Sequence, residues 1–193
     1  MSFAMPRYLL FVVLAMIVGF FVYGLLRAVL GPGVVTLISL AALVVVGVVV
    51  YRNLKTNRKV ADATPEQRAE ALKFAPIADQ AVLYVFRNQF LGRAVGINVL
   101  IDGRAVAQIK SPRFIRVTLT PGAHLLAGYT GTNKPPAEGE GVAINANAGD
   151  VLIMKCEVEP NMVGASVKFT AQPQARADVQ KITRMVAADI SAL

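Results

Sequence analysis

The sequence predicts an N-terminal transmembrane α-hairpin followed by a mainly-β domain, an antiparallel β-sandwich of about seven or eight strands with a short N-terminal and a C-terminal helix. Three observations carry that expectation. Two long uncharged apolar runs fill most of residues 1–51. After Ile77 the apolar period changes from that of a helix to that of a strand. From there on, turn signals built on Gly and Pro recur at the short spacing of a sandwich. The implied organisation is a membrane anchor at 1–51, a basic linker at 52–63, and a sandwich with flanking helices at 64–193.

The first run, 8–26, has 19 residues without a charge, 13 of them Leu, Ile, Val or Phe. Each such residue favours insertion by about 0.3–0.6 kcal/mol near the centre of a span, and about 20 apolar residues cross the hydrocarbon core. The run is long for a signal peptide, and no A-x-A-like cleavage site precedes Arg27. The second run, 34–51, has 12 residues of the same four types. Its Val-rich stretches favour strand in water. In lipid every backbone group needs a partner within the segment, so helix is expected. Gly31-Pro32-Gly33 separates the two runs, because Pro removes a donor and Gly permits a tight reversal. The predicted spans are 8–30 and 34–51. Thr36 and Ser39 are the strictly polar side chains inside the two runs, and helix carbonyls can satisfy both. Neither run holds an ionisable residue, so the pair reads as an anchor and not as a pump or channel. Ala15 and Gly19 have the small-xxx-small spacing that allows close helix packing.

Charge sets the expected orientation. The 193 residues carry 20 Lys and Arg against 12 Asp and Glu, a net charge of +8. All 12 acids lie after residue 60, where 14 bases accompany them. The C-terminal domain is therefore nearly neutral, which excludes nucleic acid as the partner implied by the basic pI. The surplus positive charge flanks the apolar runs: Arg7 on one side, then Arg52, Lys55, Arg58 and Lys59 with no acid among them. Only Arg27 lies between the runs. The positive-inside rule puts both ends in the cytoplasm and the turn outside. The lipid bilayer is thus the first expected partner. The cluster at 52–59 anchors topology and also suits anionic headgroups, at about 1 kcal/mol per charge.

In the domain, Thr64-Pro65-Glu66-Gln67 combines a Thr N-cap, Pro at the first helical position and Gln at the third, so a helix is expected from Thr64 to about Phe74. Glu66, Glu70 and Lys73 form its solvated face. Ala81–Phe86 is continuously apolar, the pattern of a strand covered on both faces. Ile97, Val99 and Ile101 alternate with polar residues, Asp102-Gly103 signals a hairpin turn, and Arg104–Ile109 returns. Ile115, Val117 and Leu119 lead to Pro121-Gly122 and a strand over Ala123–Tyr129. Val142 with Ile144, Leu152 through Val158, and Val167 with Phe169 complete the set. Residues 174–190 read as a closing amphipathic helix with Val179, Ile182, Met185, Val186 and Ile190 on one side, placed to cover a sheet edge.

Candidate chemistry is sparse. A single Cys excludes an internal disulfide, and one His with one Cys excludes the usual zinc sites, so no metal or cofactor is expected. His124 follows Pro-Gly with no acidic partner at motif spacing, and reads as a strand residue whose ring bonds a nearby carbonyl. Cys156 is in phase with Leu152, Met154 and Val158, which places it on the core face. No serine sits in G-x-S-x-G, and neither a G-x-G-x-x-G nor a Walker sequence occurs. Catalytic residues are therefore not assigned. Two surfaces remain as partner contacts: the basic strand with Lys110, Arg113, Phe114 and Arg116, and the polar loop 130–141 with Pro135-Pro136.

Several motifs resemble a known bacterial family, domain of unknown function family 2846. Leu83-Tyr84-Val85-Phe86-Arg87 resembles its opening strand. Val99 through Ala107, with Asp102-Gly103, resembles its hairpin, and Phe114 through Leu125, with Pro121-Gly122-Ala123-His124, resembles its following stretch. Gly149 through Ile153 occupies the place of a family strand but lacks its aromatics. The resemblance covers about 80–185 and implies a small β-sandwich without a known activity. Family members often look like exported lipoproteins, whereas this chain has no Cys near its N-terminus for a lipid anchor.

The reading that follows is a β-sandwich tethered to the bacterial inner membrane as a multi-pass protein. The domain is expected in the cytoplasm, acting as a non-enzymatic interaction module on a protein partner at the membrane. The second reading is an envelope-side carbohydrate- or peptidoglycan-binding module. It needs the opposite topology, and the absence of Trp removes the usual sugar-stacking platform.

Overall fold

A computed structural model describes residues 7–55, 60–90, 92–131, 134–161 and 164–188. The chain divides into two compact units, Met1–Tyr51 and Arg52–Leu193.

The first unit is helical. α1 (Arg7–Leu30) and α2 (Pro32–Lys55) meet at Gly31, which takes φ +81°, and Pro32 opens the second helix. A left-handed residue followed by Pro at the first helical position is the break that the Gly-Pro-Gly signal predicts. The helical part of the expectation stands, but the two helices are not packed together. Residues 13–48 are exposed apart from the half-buried Gly31 and from Val35 at 3 %, so the helices do not bury their faces on each other. Nothing lies within 4 Å of a Cβ built on Gly19, so the Ala15–Gly19 pair packs on no neighbouring element. Thr36 and Ser39 donate to the Pro32 and Val35 carbonyls, each at 2.8 Å, as expected of polar residues in an apolar helix. The stretch Val13–Leu30 is long and apolar enough to cross a membrane and has none of its residues buried. The apolar part of α2, Pro32–Val48, is shorter. Arg52 and Lys55 fall in the last turns of α2, while Arg58 and Lys59 lie outside the described residues.

The second unit is a sandwich of two four-stranded sheets. After α3 (Pro65–Ala71) come β1 (Ala81–Arg87), β2 (Ile97–Ile101), β3 (Arg104–Ile109), β4 (Arg113–Leu119), β5 (Gly122–Thr130), β6 (Val142–Ala146), β7 (Val151–Asn161) and β8 (Gly164–Ala171), then the short α4 (Arg176–Lys181). One sheet has the order β4-β1-β7-β8, the other β3-β2-β5-β6. The purely antiparallel expectation is corrected at one ladder: β7 runs parallel to β1, with Leu83 opposite Leu152 and Phe86 opposite Lys155. The long excursion through the second sheet lets the chain return to β1 in the same direction.

Each face of β1 has its own core. Leu83, Val85, Ile115, Val117, Met154 and Cys156 meet Val99, Ile101, Val106, Ile109 and Leu126 between the sheets. On the outer face, Val82, Tyr84, Phe86 and Phe114 pack against Ala71, Phe74, Val179, Ile182 and Met185. All seven residues of β1 are fully buried, which is why its sequence is continuously apolar until Arg87. The Tyr84 hydroxyl donates to the Ala71 carbonyl at 2.6 Å, so the buried phenol is satisfied.

The helical expectations hold at the start and fail at the end. Thr64 caps α3 with a complete capping box: the Gln67 amide donates to Thr64 Oγ1 at 3.2 Å and the Thr64 amide to Gln67 Oε1 at 2.9 Å. α3 stops at Ala71, three residues early, and Phe74 turns the chain at φ +51°. The closing helix expected over 174–190 is corrected to six residues, Arg176–Lys181. From Ile182 the chain is extended and straps the free edge of β4. The Phe114 amide donates to the Arg184 carbonyl at 3.3 Å and the Val186 amide to the Phe114 carbonyl at 2.9 Å. On its other side the strap accepts from Ala63 at Met185, while Ala187 donates to Ala61. Met185 and Val186 are adjacent, so an extended chain sends one to each core. Ile190 lies outside the described residues.

Candidate functional site

Four places carry side chains capable of chemistry or recognition. The first is a groove of about 540 Å³ on the side of the sandwich where β5 approaches β8. The loop after β5 forms its rim with Lys134, Pro136 and Glu140, and β8 forms its wall with Ser166, Lys168 and Phe169. Two glycines make this approach possible. A Cβ on Gly128 would sit 2.9 Å from Phe169 Cζ and 3.1 Å from the Asn98 carbonyl. A Cβ on Gly141 would sit 2.7 Å from the Leu126 carbonyl, and Gly141 itself has φ +158°. The register of β6 on β5 ends at Val142 opposite Leu126, whereas β2 pairs with β5 as far as Thr130. The stretch of β5 from Ala127 to Tyr129 therefore borders the groove beyond the end of β6. The lining has both signs of charge, with Glu159 ion-paired to Lys168 at 3.1 Å.

The second place is a cleft of about 470 Å³ at the Asp102-Gly103 turn, lined by Gln80, Asp102, Arg104, Thr118, Thr120 and His124. Asp102 (φ +51°) and Gly103 (φ +78°) occupy the left-handed region together, the geometry of the two-residue hairpin turn. This orients the carboxylate across to β5, where Oδ1 accepts from the Leu125 amide at 2.8 Å and Oδ2 meets His124 Nδ1 at 2.7 Å. His124 Nε2 faces the Thr120 carbonyl at 2.8 Å. The carbonyl bond was expected, and the acidic partner was missed because 22 residues separate Asp102 from His124. Both ring nitrogens face acceptors, and a neutral imidazole has only one N–H to give. Burial works against the imidazolium, but the bonds to Asp102 and Thr120 outweigh it and raise the His124 pKa above its ordinary value. Partial burial likewise opposes the Asp102 carboxylate, and the bonds from His124 and Leu125 outweigh it and hold its pKa low. A general base needs a ring nitrogen open to substrate, and neither nitrogen is open in this arrangement.

The third place is the basic strand. Its residues do not form one exposed patch. Phe114 is fully buried in the outer core, which corrects its placement among surface contacts. Arg113 pairs with Asp62 at 3.1 Å, and Asp62 also takes Arg184 Nη2 at 2.6 Å, so Arg113 helps to close the strap. Lys110 and Arg116 are half-buried. Alternation brought Arg116 outward as expected, but α3 and the strap cover that face of the sheet.

The fourth place escaped sequence reasoning. Arg87 ends β1 and is fully buried. Its Nη1 donates to the Val95 carbonyl at 2.6 Å and its Nη2 to the Gly92 carbonyl at 2.9 Å, while Nε is buried without a partner. Burial lowers its pKa. The side chain thus holds the β1–β2 connection from inside. Gln89 holds it from the other side, donating to the Val158 carbonyl at 2.7 Å and accepting from the Val158 amide at 2.8 Å. A charged residue closing an otherwise apolar buried strand was the available signal. Cys156, fully buried beside this group, lies on the core face as its phase predicts, and burial, partly offset by the Arg87 charge, pushes its thiol up to about 12. A thiol so shifted is not a nucleophile at neutral pH.

Among the described residues no group of three or more His, Cys, Asp or Glu is placed to hold a metal ion. No protein-family model matches the chain, and no curated protein matches it.

Proposed function

We propose that this protein is a membrane-tethered, non-enzymatic interaction module that takes an extended segment of a protein partner into the groove between β5 and β8. The observation that carries the reading is the groove itself: a cleft of about 540 Å³ whose rim is the long loop and whose floor includes the β5 edge beyond β6. An extended chain laid there meets main-chain groups on one side and Lys134, Glu140 and Lys168 on the other. Strand addition of this kind takes affinity from the backbone and specificity from alternate side chains. The mixed charges of the lining suit a polypeptide better than a polyanion.

Tethering is supported by the exposed apolar helix Val13–Leu30 and by the second apolar stretch that follows Gly31. In this reading both helices span the inner membrane. Arg52, Lys55, Arg58 and Lys59 keep the C-terminal side of α2 in the cytoplasm. Confinement near the bilayer raises the effective concentration of a weakly bound partner. The resemblance to family 2846 over about 80–185 fits a binding sandwich equally well. Two experiments test the proposal. A C-terminal phosphatase fusion in intact cells should be inactive, and high activity would overturn the cytoplasmic placement. A photo-crosslinker at Ser166 should capture a membrane protein in cells that the same group at Gln180 on α4 does not capture. Equal capture from both sites would remove the groove from the proposal.

A further inference from the structure

Among the described residues of Arg52–Leu193, only Phe90 and Val142 are large apolar side chains left exposed, and Phe90 is far the more open at 83 % against 36 %. An open aromatic ring on a loose loop would be unremarkable. This loop is not loose. Arg87 holds it through Gly92 and Val95, Gln89 exchanges two bonds with Val158, and the Arg93 amide donates to the Phe90 carbonyl at 3.3 Å. The backbone on either side of the ring is therefore tied down, at Gln89 and at Gly92.

The two loop segments that meet at this tip contribute bases and no acid. The Ser111 amide donates to the Arg93 carbonyl at 3.1 Å, which brings the β3–β4 turn against the β1–β2 connection. Together, 88–96 and 110–112 contain Arg93 and Lys110 and no acid. Strand direction brings the end of β7 to the same end of the sandwich, because β7 runs parallel to β1. The acids there are already engaged, Glu157 with Lys155 at 2.8 Å and Glu159 with Lys168 at 3.1 Å.

We infer that Phe90, at a tip where the loops carrying Arg93 and Lys110 meet, is a lipid-docking site that inserts its ring among the headgroups of an anionic bilayer. The inference rests on the tethered reading, since the anchor is what keeps a bilayer within reach of the domain. An exposed apolar side chain flanked by cations is the chemistry that lies at a membrane interface: the ring leaves water and the bases meet phosphate. A protein partner of the groove has no need of this site, because Phe90 is not among the residues that line the groove. Docking would hold the sandwich in one orientation on the membrane.

The chain contains no Trp, so Phe90→Trp places a single indole at the tip. The full-length variant is reconstituted into lipid nanodiscs of phosphatidylglycerol or of phosphatidylcholine, each with and without brominated chains. Co-elution of the chain with the discs reports the anchor separately from the tip. In anionic discs the indole emission should shift to shorter wavelength and be quenched by brominated lipid, with weaker quenching in zwitterionic discs. Adding Arg93→Gln should reduce the docked fraction relative to the undocked roughly fivefold, the factor for one base at an anionic surface. If the chain elutes with the discs but the indole keeps solvent-exposed emission and escapes quenching, the docking inference is overturned while the tether stands. If the chain does not enter the discs, both fall.

Discussion

His124 shows how a single residue couples the sandwich to pH. It is the only His in the chain, so one imidazole resonance reports its titration. Its folded pKa is raised, so its contribution to stability is complete below the unfolded value near 6.5 and is lost as pH rises through the folded value. Asp102 is shifted down, so its share is complete above about 3.8 and is lost as pH falls through its folded value. The pair should therefore stabilise the turn most between those limits, and denaturant midpoints measured across pH should fall on both sides. Asp102→Asn should lower the His124 pKa and flatten the neutral-to-alkaline limb. An unchanged resonance midpoint would show that the carboxylate does not govern the ring. Cys156 makes a second test at this scale. The native thiol should resist a polar reagent until the domain unfolds, and Cys156→Ser should cost about 1–3 kcal/mol for a buried hydroxyl without a partner.

Among the elements, the strap after α4 has the most leverage. It covers the edge of β4, satisfies Phe114 on both backbone groups, and inserts Met185 and Val186 into different cores. An uncovered β4 would present a ready template for pairing with another chain. Val186→Pro removes the donor to the Phe114 carbonyl and should destabilise by at least the roughly 1–3 kcal/mol of a buried acceptor left unmade. Ile182→Ala, which keeps the backbone bonds, should cost about 2–5 kcal/mol by cavity formation alone. Thermal unfolding of both variants, with light scattering, separates the roles: the Pro variant should aggregate at lower temperature than its stability predicts, and the Ala variant should not. Gly128 is the matching weak point of the groove. Gly128→Val should push Phe169 out of place and be destabilising, because the Asn98 carbonyl blocks the alternative direction.

At the scale of the whole molecule, the two units differ in where their apolar side chains lie. Nearly every side chain from 13 to 48 is exposed, and nearly all of them are apolar, a distribution that water disfavours and a bilayer accepts. Among its described residues, the sandwich buries apolar side chains in two cores and leaves Phe90 as the main exception. Alkaline carbonate should leave the full chain in the membrane pellet, whereas a peripherally bound protein would be released.

Local patterns were legible wherever the cause is local. The helix break at Gly31, the capping box at Thr64, the Asp102-Gly103 turn and the inward phase of Cys156 each depend on a few neighbouring residues, and each stands where its residues predicted. The apolar continuity of β1 even announced a second core, because only a strand covered on both faces has no polar side. Tertiary structure alone decided the rest. The parallel β1–β7 ladder, the strap on β4, the Asp102–His124 pair and the groove between β5 and β8 all join residues far apart in the chain. Their partners carry no mark of one another in sequence. Val179, Ile182, Met185 and Val186 have a helical spacing, yet after Lys181 the unpaired edge of β4 offers backbone bonds as well as apolar contact. A pattern of apolar residues specifies that they will be buried, and the surface available to bury them decides in what conformation.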